Sequence, residues 1–402
     1  MASVYAIATM DTKGQEILYV AECVRRAGAE VVVVDVGTQA EVQGVPDVSR
    51  ETVAACHEGG VGAVLGHTDR GEAVTAMGEA LCAFLVGEYA VGKVSGVIGI
   101  GGSGGTALIT PAMQALPVGV PKVMVSTVAS GNTAPYVGCC DITMMYSVVD
   151  VAGINRVSRQ VFGNAAHAIA GMVTHSVDQG DDKRTVGMTM FGVTTACVTM
   201  VREMLEKEGY DCLVFHATGT GGQAMEKLVA SGMIDGVLDI TTTEVADEVV
   251  GGVFAAGPER FDRILAKGIP YVVSVGALDM VNFGAKETLP QKFQNRKLHV
   301  HNAQVTLMRT TADENRLFGA WMAKKLNQSK RPIQVLIPEK GVSLIDDVGQ
   351  PFYDPDADAA LFEALESQIV QTGERVVKRF PYNINDRGFA EVLVGAFKEV
   401  GG

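Results

Sequence analysis

The sequence predicts an α/β protein of two domains, each a parallel β-sheet flanked by helices. Three observations predict it. Short runs rich in Val, Ile and Ala end repeatedly at Gly, which fills 47 of 402 positions, as in parallel strands buried on both faces. A β-α-β unit opens the chain. The same pattern returns about 180 residues later, close to the length of one such domain. The full length also exceeds what one ordinary core takes.

The first strand is expected over 4–9 and ends at Met10-Asp-Thr-Lys-Gly14. A helix over about 14–27 follows, with Ile17, Val20, Ala21 and Val24 at helical spacing and Gly28 as its stop. Glu30-Val-Val-Val-Val-Asp35 is the second strand, joined by a crossover of the usual right-handed kind. Further strands are predicted over 61–65, 94–100 and 121–125. Helices are expected near 48–59, 68–91 and 105–115, with a long helical stretch over 142–173. In the second half, strands are expected near 185–190 and over 211–216, 236–240, 271–275 and 332–337. Helices are expected over 195–208, 357–371 and 387–399. Met10-Asp-Thr-Lys matches Met190-Phe-Gly-Val-Thr-Thr in position. The predicted domains are therefore Rossmann-like units over 1–182 and 183–402. Open parallel sheets bind ligands beyond the carboxyl ends of their strands, so a ligand cleft is expected between the two.

Composition narrows the function. A net charge of −13 and no Lys/Arg cluster argue against nucleic-acid binding. The seven scattered cysteines read as reduced thiols of a cytoplasmic protein rather than a disulfide framework. The N-terminus opens on a strand, without the basic region and apolar core of a signal peptide. No apolar run reaches the roughly 18–20 residues of a membrane span, so no membrane contact is expected.

The strongest functional motif is Gly99-Ile-Gly-Gly-Ser-Gly-Gly-Thr106, which follows the strand 94–100 and precedes a helix. Glycines free to take positive φ can point backbone N–H groups at one spot, and a helix start adds its dipole. The alternative is a tight turn whose small residues allow close helix packing. It is a poor dinucleotide fingerprint, because its strand is not the first and no acidic residue follows about 20 positions on. Nor is it a P-loop, since Gly-Lys-Ser/Thr is missing. An anion cradle formed by Gly101, Gly102, Ser103, Gly104, Gly105 and Thr106 is the expectation.

Four other groups are candidates. Lys13 can pair with phosphate, Thr12 can donate to it, and Asp11 can hold a metal or a ribose hydroxyl; the alternative for Asp11 or Thr12 is a plain helix cap. Thr218, Gly219, Thr220, Gly221 and Gly222 form a second glycine loop at a strand-to-helix junction. Ser130, Gly131 and Asn132 follow a strand and either touch a ligand or only turn the chain. Asp141 in an apolar setting is a candidate acid/base, because a buried acid needs a partner or a raised pKa. Near the other end, His299 and His301 alternate as on a strand and so share a face. They offer two metal ligands with no evident third. Arg309 is expected to pair with a carboxylate or phosphate, with His301 and Asn302 beside it.

Ala8-Thr-Met-Asp-Thr-Lys-Gly14, the glycine loop 99–106 and His301-Asn302 followed by Thr306-Leu-Met-Arg-Thr-Thr311 together resemble the Tm-1-like ATP-binding family, also called UPF0261. The resemblance covers essentially the whole chain. It implies two Rossmann-like subdomains, ATP with Mg²⁺, and a homodimer. With the motifs, it leads to the expectation of an ATP-binding protein acting on a small acidic metabolite by phosphoryl or ligase-type transfer. The alternatives are a non-catalytic module that senses a nucleotide or sugar phosphate, and a two-Rossmann nucleotide-sugar enzyme.

Overall fold

The computed structural model describes residues 2–39, 42–175, 180 and 183–402. The chain divides into two compact units, Met1–Gly180 and Asp181–Gly402; the expected boundary after residue 182 falls among residues outside the described set.

The first unit runs β1 (Ser3–Ala8), α1 (Met10–Arg26), β2 (Val31–Asp35), α2 (Arg50–Ala54), α3 (Gly60–Leu65), α4 (Arg70–Ala90), β3 (Val94–Gly101), α5 (Ser103–Ala115), β4 (Lys122–Ser126), α6 (Ala134–Val137), β5 (Thr143–Tyr146) and α7 (Arg156–Thr174). Its five strands are all parallel, in the order β2-β1-β3-β4-β5. Side chains alternate between faces as the pleat requires. Val4, Ala6 and Ala8 pack under α1 and α7, while Tyr5 and Ile7 pack under α4 and α5. The sheet is thus covered on both faces, as its near-continuous apolar strands demand.

Two predicted elements are corrected. Residues 61–65 form α3, not a strand: Val64 is its one buried residue, and the helix packs beside α4 outside the sheet. The predicted helix over 142–173 is a strand followed by a helix. Thr143-Met-Met-Tyr146 pairs with β4 as the edge strand. Asn155 then starts α7, accepting from the N–H groups of Val157 and Ser158 in a capping box. Helix α4 is long and apolar enough, by length and composition, to cross a membrane. Its Ala76, Met77, Ala80, Leu81, Phe84 and Leu85 instead belong to the core of this unit.

The second unit runs β6 (Thr185–Met190), α8 (Thr195–Lys207), β7 (Asp211–His216), α9 (Thr220–Ala230), β8 (Gly236–Thr241), α10 (Thr243–Val250), α11 (Asp262–Lys267), β9 (Tyr271–Gly276), β10 (Met280–Phe283), β11 (Leu298–Asn302), β12 (Val305–Arg309), α12 (Ala312–Leu326), β13 (Ile333–Pro338), α13 (Pro355–Gln368), β14 (Arg375–Phe380) and α14 (Arg387–Glu399). Its parallel sheet has the order β14-β13-β9-β8-β6-β7. Read from β7, this repeats the strand order of the first unit and adds one edge strand. The predicted fold class, two α/β units with parallel sheets flanked by helices, is the observed one. The addition that periodicity did not show is an antiparallel sheet, β10-β12-β11, inserted between β9 and β13.

Candidate anion-binding site

In the first unit β1 lies between β2 and β3, so the strand order reverses between β1 and β3. Helix α1 leaves β1 toward one face and α5 leaves β3 toward the other. Such a switch point opens a crevice at the carboxyl ends of the strands. Both segments singled out by the sequence, 11–13 and 101–106, lie there.

The glycine loop is not built as the sequence suggested. None of its glycines takes positive φ. Gly101 ends β3, Gly102 is the extended N-cap (φ −79°, ψ −162°), and Ser103 already starts α5. A 13-residue helix therefore begins directly on the strand. The first bond inside it runs from the Thr106 N–H to the Gly102 carbonyl. The N–H groups of Ser103, Gly104 and Gly105 find no acceptor among the described residues, which is the normal state of a first helical turn left open.

The glycines divide into two kinds. A Cβ on Gly99 would press on Met124 and Ile109, and one on Gly101 would lie 3.0 Å from the Gly105 Cα, so these two serve packing. A Cβ on Gly104 would meet nothing within 4 Å, and one on Gly102 only the Thr127 hydroxyl at 3.8 Å. Neither backbone conformation nor internal packing calls for glycine at 102 or 104. The Thr106 hydroxyl is not available to a ligand. It is buried, donating to the Gly102 carbonyl and sharing a 2.6 Å hydrogen bond with Ser126 at the end of β4.

On the β1 side, helix α1 starts at Met10, so residues 11–13 lie in its first turn rather than before it. The cap comes from β2: Asp35 Oδ1 accepts the N–H groups of Met10 and Gly37, and its Oδ2 accepts from Arg50 Nε. Asp35 belongs to none of the sequence motifs; its one signal is an acid closing a run of four valines. Asp11 Oδ2 accepts the N–H groups of Thr38 and Gln39, so this carboxylate organises the loop after β2 and does not stand free for a metal or ribose. Thr12 is exposed, with its hydroxyl near Thr9 and Asp11. Lys13 departs from helical backbone (φ −126°, ψ 20°) and makes no ion pair among the described residues. Beyond β4, Ser130, Gly131 and Asn132 are exposed; Ser130 donates to the Thr127 carbonyl and Asn132 accepts from the Ala134 N–H.

The second glycine loop is already filled. Glu244, in the first turn of α10, places Oε1 2.8 Å from the Gly219 N–H donor and 3.0 Å from that of Gly222. A Cβ on Gly222 would collide with this carboxylate, and one on Gly221 with the His216 carbonyl. Arg260 Nε holds Glu244 Oε2 at 2.9 Å, and the same guanidinium reaches Glu226 and Asp239. Burial pushes the pKa of Glu244 up, with the Arg260 charge opposing it. Thr218 and Thr220 flank a cradle that the chain itself occupies.

The remaining candidates also have internal roles. Asp141 takes Lys122 Nζ at 2.8 Å and the Gly119 N–H at 2.8 Å. Burial pushes its pKa up, but these hydrogen bonds outweigh burial and hold it below the usual carboxylate range, opposite to a general acid. Lys122 begins β4, so the pair sits at the amino end of the sheet, away from the crevice. Arg309 is buried and bonds the Phe352 carbonyl at 2.7 Å, Thr310 Oγ1 at 2.9 Å and Asp358 Oδ1 at 2.7 Å, with Asp346 at 3.3 Å. It binds the chain's own acids. A bulge between Val300 and Asn302 leaves His301 out of the register of β11 with β12; His301 is exposed and His299 half-buried. His299 packs edge-on against Phe352, and Asn302 turns the hairpin by accepting from the Gln304 N–H. Among the described residues no group of three His, Cys, Asp or Glu is placed to hold a metal.

Models of two domains of an uncharacterised protein family, UPF0261, match the chain: the N-terminal domain over residues 2–178 and the C-terminal domain over 183–401. A UPF0261 protein of Rhizobium meliloti is 54% identical over 100% of this chain and 99% of its own length. A UPF0261 protein of Brucella suis is 31% identical over 98% of this chain and 94% of its own. The tomato protein named ToMV resistance protein Tm-1(GCR237), from Solanum lycopersicum, is 50% identical over 99% of this chain, which spans 55% of that longer protein.

Proposed function

The chain belongs to the UPF0261 family, and from that premise we propose that its first unit binds the phosphates of a nucleotide, ATP by the family resemblance, at the switch point between β1 and β3. One observation carries the proposal. Three unpaired N–H groups, of Ser103, Gly104 and Gly105, open beside two glycines whose side-chain space is empty. A helix N-terminus offers both donors and a favourable dipole to an anion. Lys13, in the first turn of the neighbouring helix, supplies a unit charge for phosphate, and Thr12 a hydroxyl. The loop 130–132 after β4 is the next surface for the rest of the ligand.

ATP and Mg²⁺ differ in how well these residues suit them. The N–H trio suits a phosphate oxygen. Mg²⁺ prefers oxygen ligands and keeps waters, so it needs only one or two carboxylates when phosphates share it. Asp11 is the carboxylate of this loop, and one of its oxygens is committed to Thr38 and Gln39. The metal therefore enters with the phosphates rather than through a site built by the protein. No disulfide joins the seven cysteines, which suits a reducing compartment such as the cytoplasm, and the family resemblance carries a homodimer.

Two activities stay open to such a site. The first is phosphoryl or ligase-type transfer to a small acidic metabolite. The second is nucleotide sensing without chemistry, and it gains weight because Asp141 and Arg309 are both bound up in internal ion pairs. Equilibrium dialysis with ATP, with and without Mg²⁺, tests the common premise. Saturable binding is expected, and absence of binding at millimolar ATP with Mg²⁺ overturns it. Steady ATP consumption with a panel of small acids identifies the enzyme; saturable binding without turnover identifies the sensor.

A further inference from the structure

The second unit holds a groove that none of these roles uses. It runs between α8 and the edge strand β7, at the carboxyl ends of β6 and β7, and is a half-open groove of about 210 Å³. Met190, Val198 and Val214 give it an apolar floor, and Thr199, Arg202 and His216 line it with polar groups. Arg202 Nε is shut off from solvent without a hydrogen-bond partner. The nearest carboxylate oxygen, Glu206 Oε1, stands 3.6 Å away, beyond hydrogen-bond length. The Arg202 side chain as a whole is 44% exposed, so its terminal N–H groups, not the closed Nε, are the donors a ligand can reach. Arg presents a planar fork that fits a carboxylate with two parallel bonds.

From this groove we infer a binding site for a small carboxylate with a short apolar body. The carboxylate meets Arg202, the apolar body lies on Met190, Val198 and Val214, and Thr199 and His216 are polar neighbours for a further oxygen. The site lies at the end of the sheet where open α/β folds place ligands. It stands whether or not the first unit binds a nucleotide.

The test uses the full chain with ¹³C-labelled methionine methyl groups, the Met190 signal assigned by Met190→Leu, and butanoate as probe with butanamide as its neutral counterpart. Butanoate is expected to shift the Met190 signal saturably in the millimolar range, and butanamide to leave it in place. Arg202→Met should weaken the butanoate effect at least about tenfold, as loss of a charged hydrogen bond does. Glu206→Gln, which removes the competing carboxylate, should tighten it severalfold. The other methionine signals report whether each variant is folded. No saturable shift with butanoate, an equal shift with butanamide, or an unchanged response in folded Arg202→Met overturns the inference.

Discussion

The glycine loops at 101–105 and 219–222 share composition and a place at the start of a helix, but they stand in opposite states. In the first, the N–H groups of Ser103, Gly104 and Gly105 are left open. In the second, Glu244 accepts from Gly219 and Gly222, and Arg260 holds that carboxylate in place. The glycines differ accordingly. Those at 221 and 222 are glycine because a Cβ would strike the chain itself, while those at 102 and 104 have room to spare. A glycine-rich loop is thus evidence of crowding or of approach, and what a Cβ would meet tells the two apart. The sheets around them have the same strand order, so the contrast lies in the side chains, not in topology.

Breaking the filled cradle should have the largest effect. Arg260→Met strips the cation from Glu226, Glu244 and Asp239, all of them buried. A loss of about 3–5 kcal/mol is expected for leaving buried charge unpaired, read as a lowered denaturant midpoint of the second unit, with ATP affinity unchanged. The open cradle should respond in the reverse way. Gly102→Val with Gly104→Val should weaken ATP binding at least about tenfold by covering N–H groups that donate to phosphate. Its unfolding free energy should stay within about 1 kcal/mol of the parent, because glycine in a helix gives up about that much to other residues.

A smaller loss is expected at Lys13. Lys13→Met removes one charge from the crevice and should cost about tenfold in ATP affinity at low salt, shrinking as salt screens the interaction. Titration across salt concentrations measures it.

One further expected effect sharpens the contrast in acid response. Burial pushes Asp247, in the second unit, up to about 7, with hydrogen bonds from Asn282 and Phe254 opposing the shift. A carboxyl raised on folding makes the native state bind more protons than the unfolded state between the two pKa values. Its contribution therefore falls as pH rises from about 4, the unfolded value, to about 7. In the first unit Asp141 is lowered instead, so its contribution is present above the unfolded value and is lost as pH falls through the folded one. Asp247→Asn should flatten the pH dependence of unfolding of the second unit between about pH 4 and 7, and Asp141→Asn should flatten that of the first unit only in acid.

Much of the fold was legible. β1 and β2 in the first unit, β7, β9 and α14 in the second, and the repeated pattern about 180 residues apart all follow from apolar runs bounded by glycine. Residues 61–65 and 143–146 failed for one reason: a short apolar run satisfies a helix and a strand equally until its neighbours are known. Of the inserted sheet only the alternation at His299 and His301 was legible; β10 and β12 are short and interrupted by Asn282 and Thr306, so neither reads as a continuous apolar run. At the site, the glycine loop and Lys13 were legible as composition. The partners that decide availability were not. Asp35 caps α1 from 25 positions away, Glu244 fills its cradle from 22 and 25, and Asp358 engages Arg309 from 49. Such pairings are set by the tertiary packing of separate elements, which sequence spacing does not report.

Amide hydrogen exchange on the full chain, with and without saturating ATP and Mg²⁺, tests the contrast most directly. Without ligand, Ser103, Gly104 and Gly105 should exchange fast, and Gly219 and Gly222 should be protected by Glu244. With ligand, protection should rise at least about tenfold at 103–105, as new hydrogen bonds require, and stay constant at 219 and 222. Unchanged exchange at 103–105 under saturating ligand, or a change confined to 219 and 222, would contradict the account.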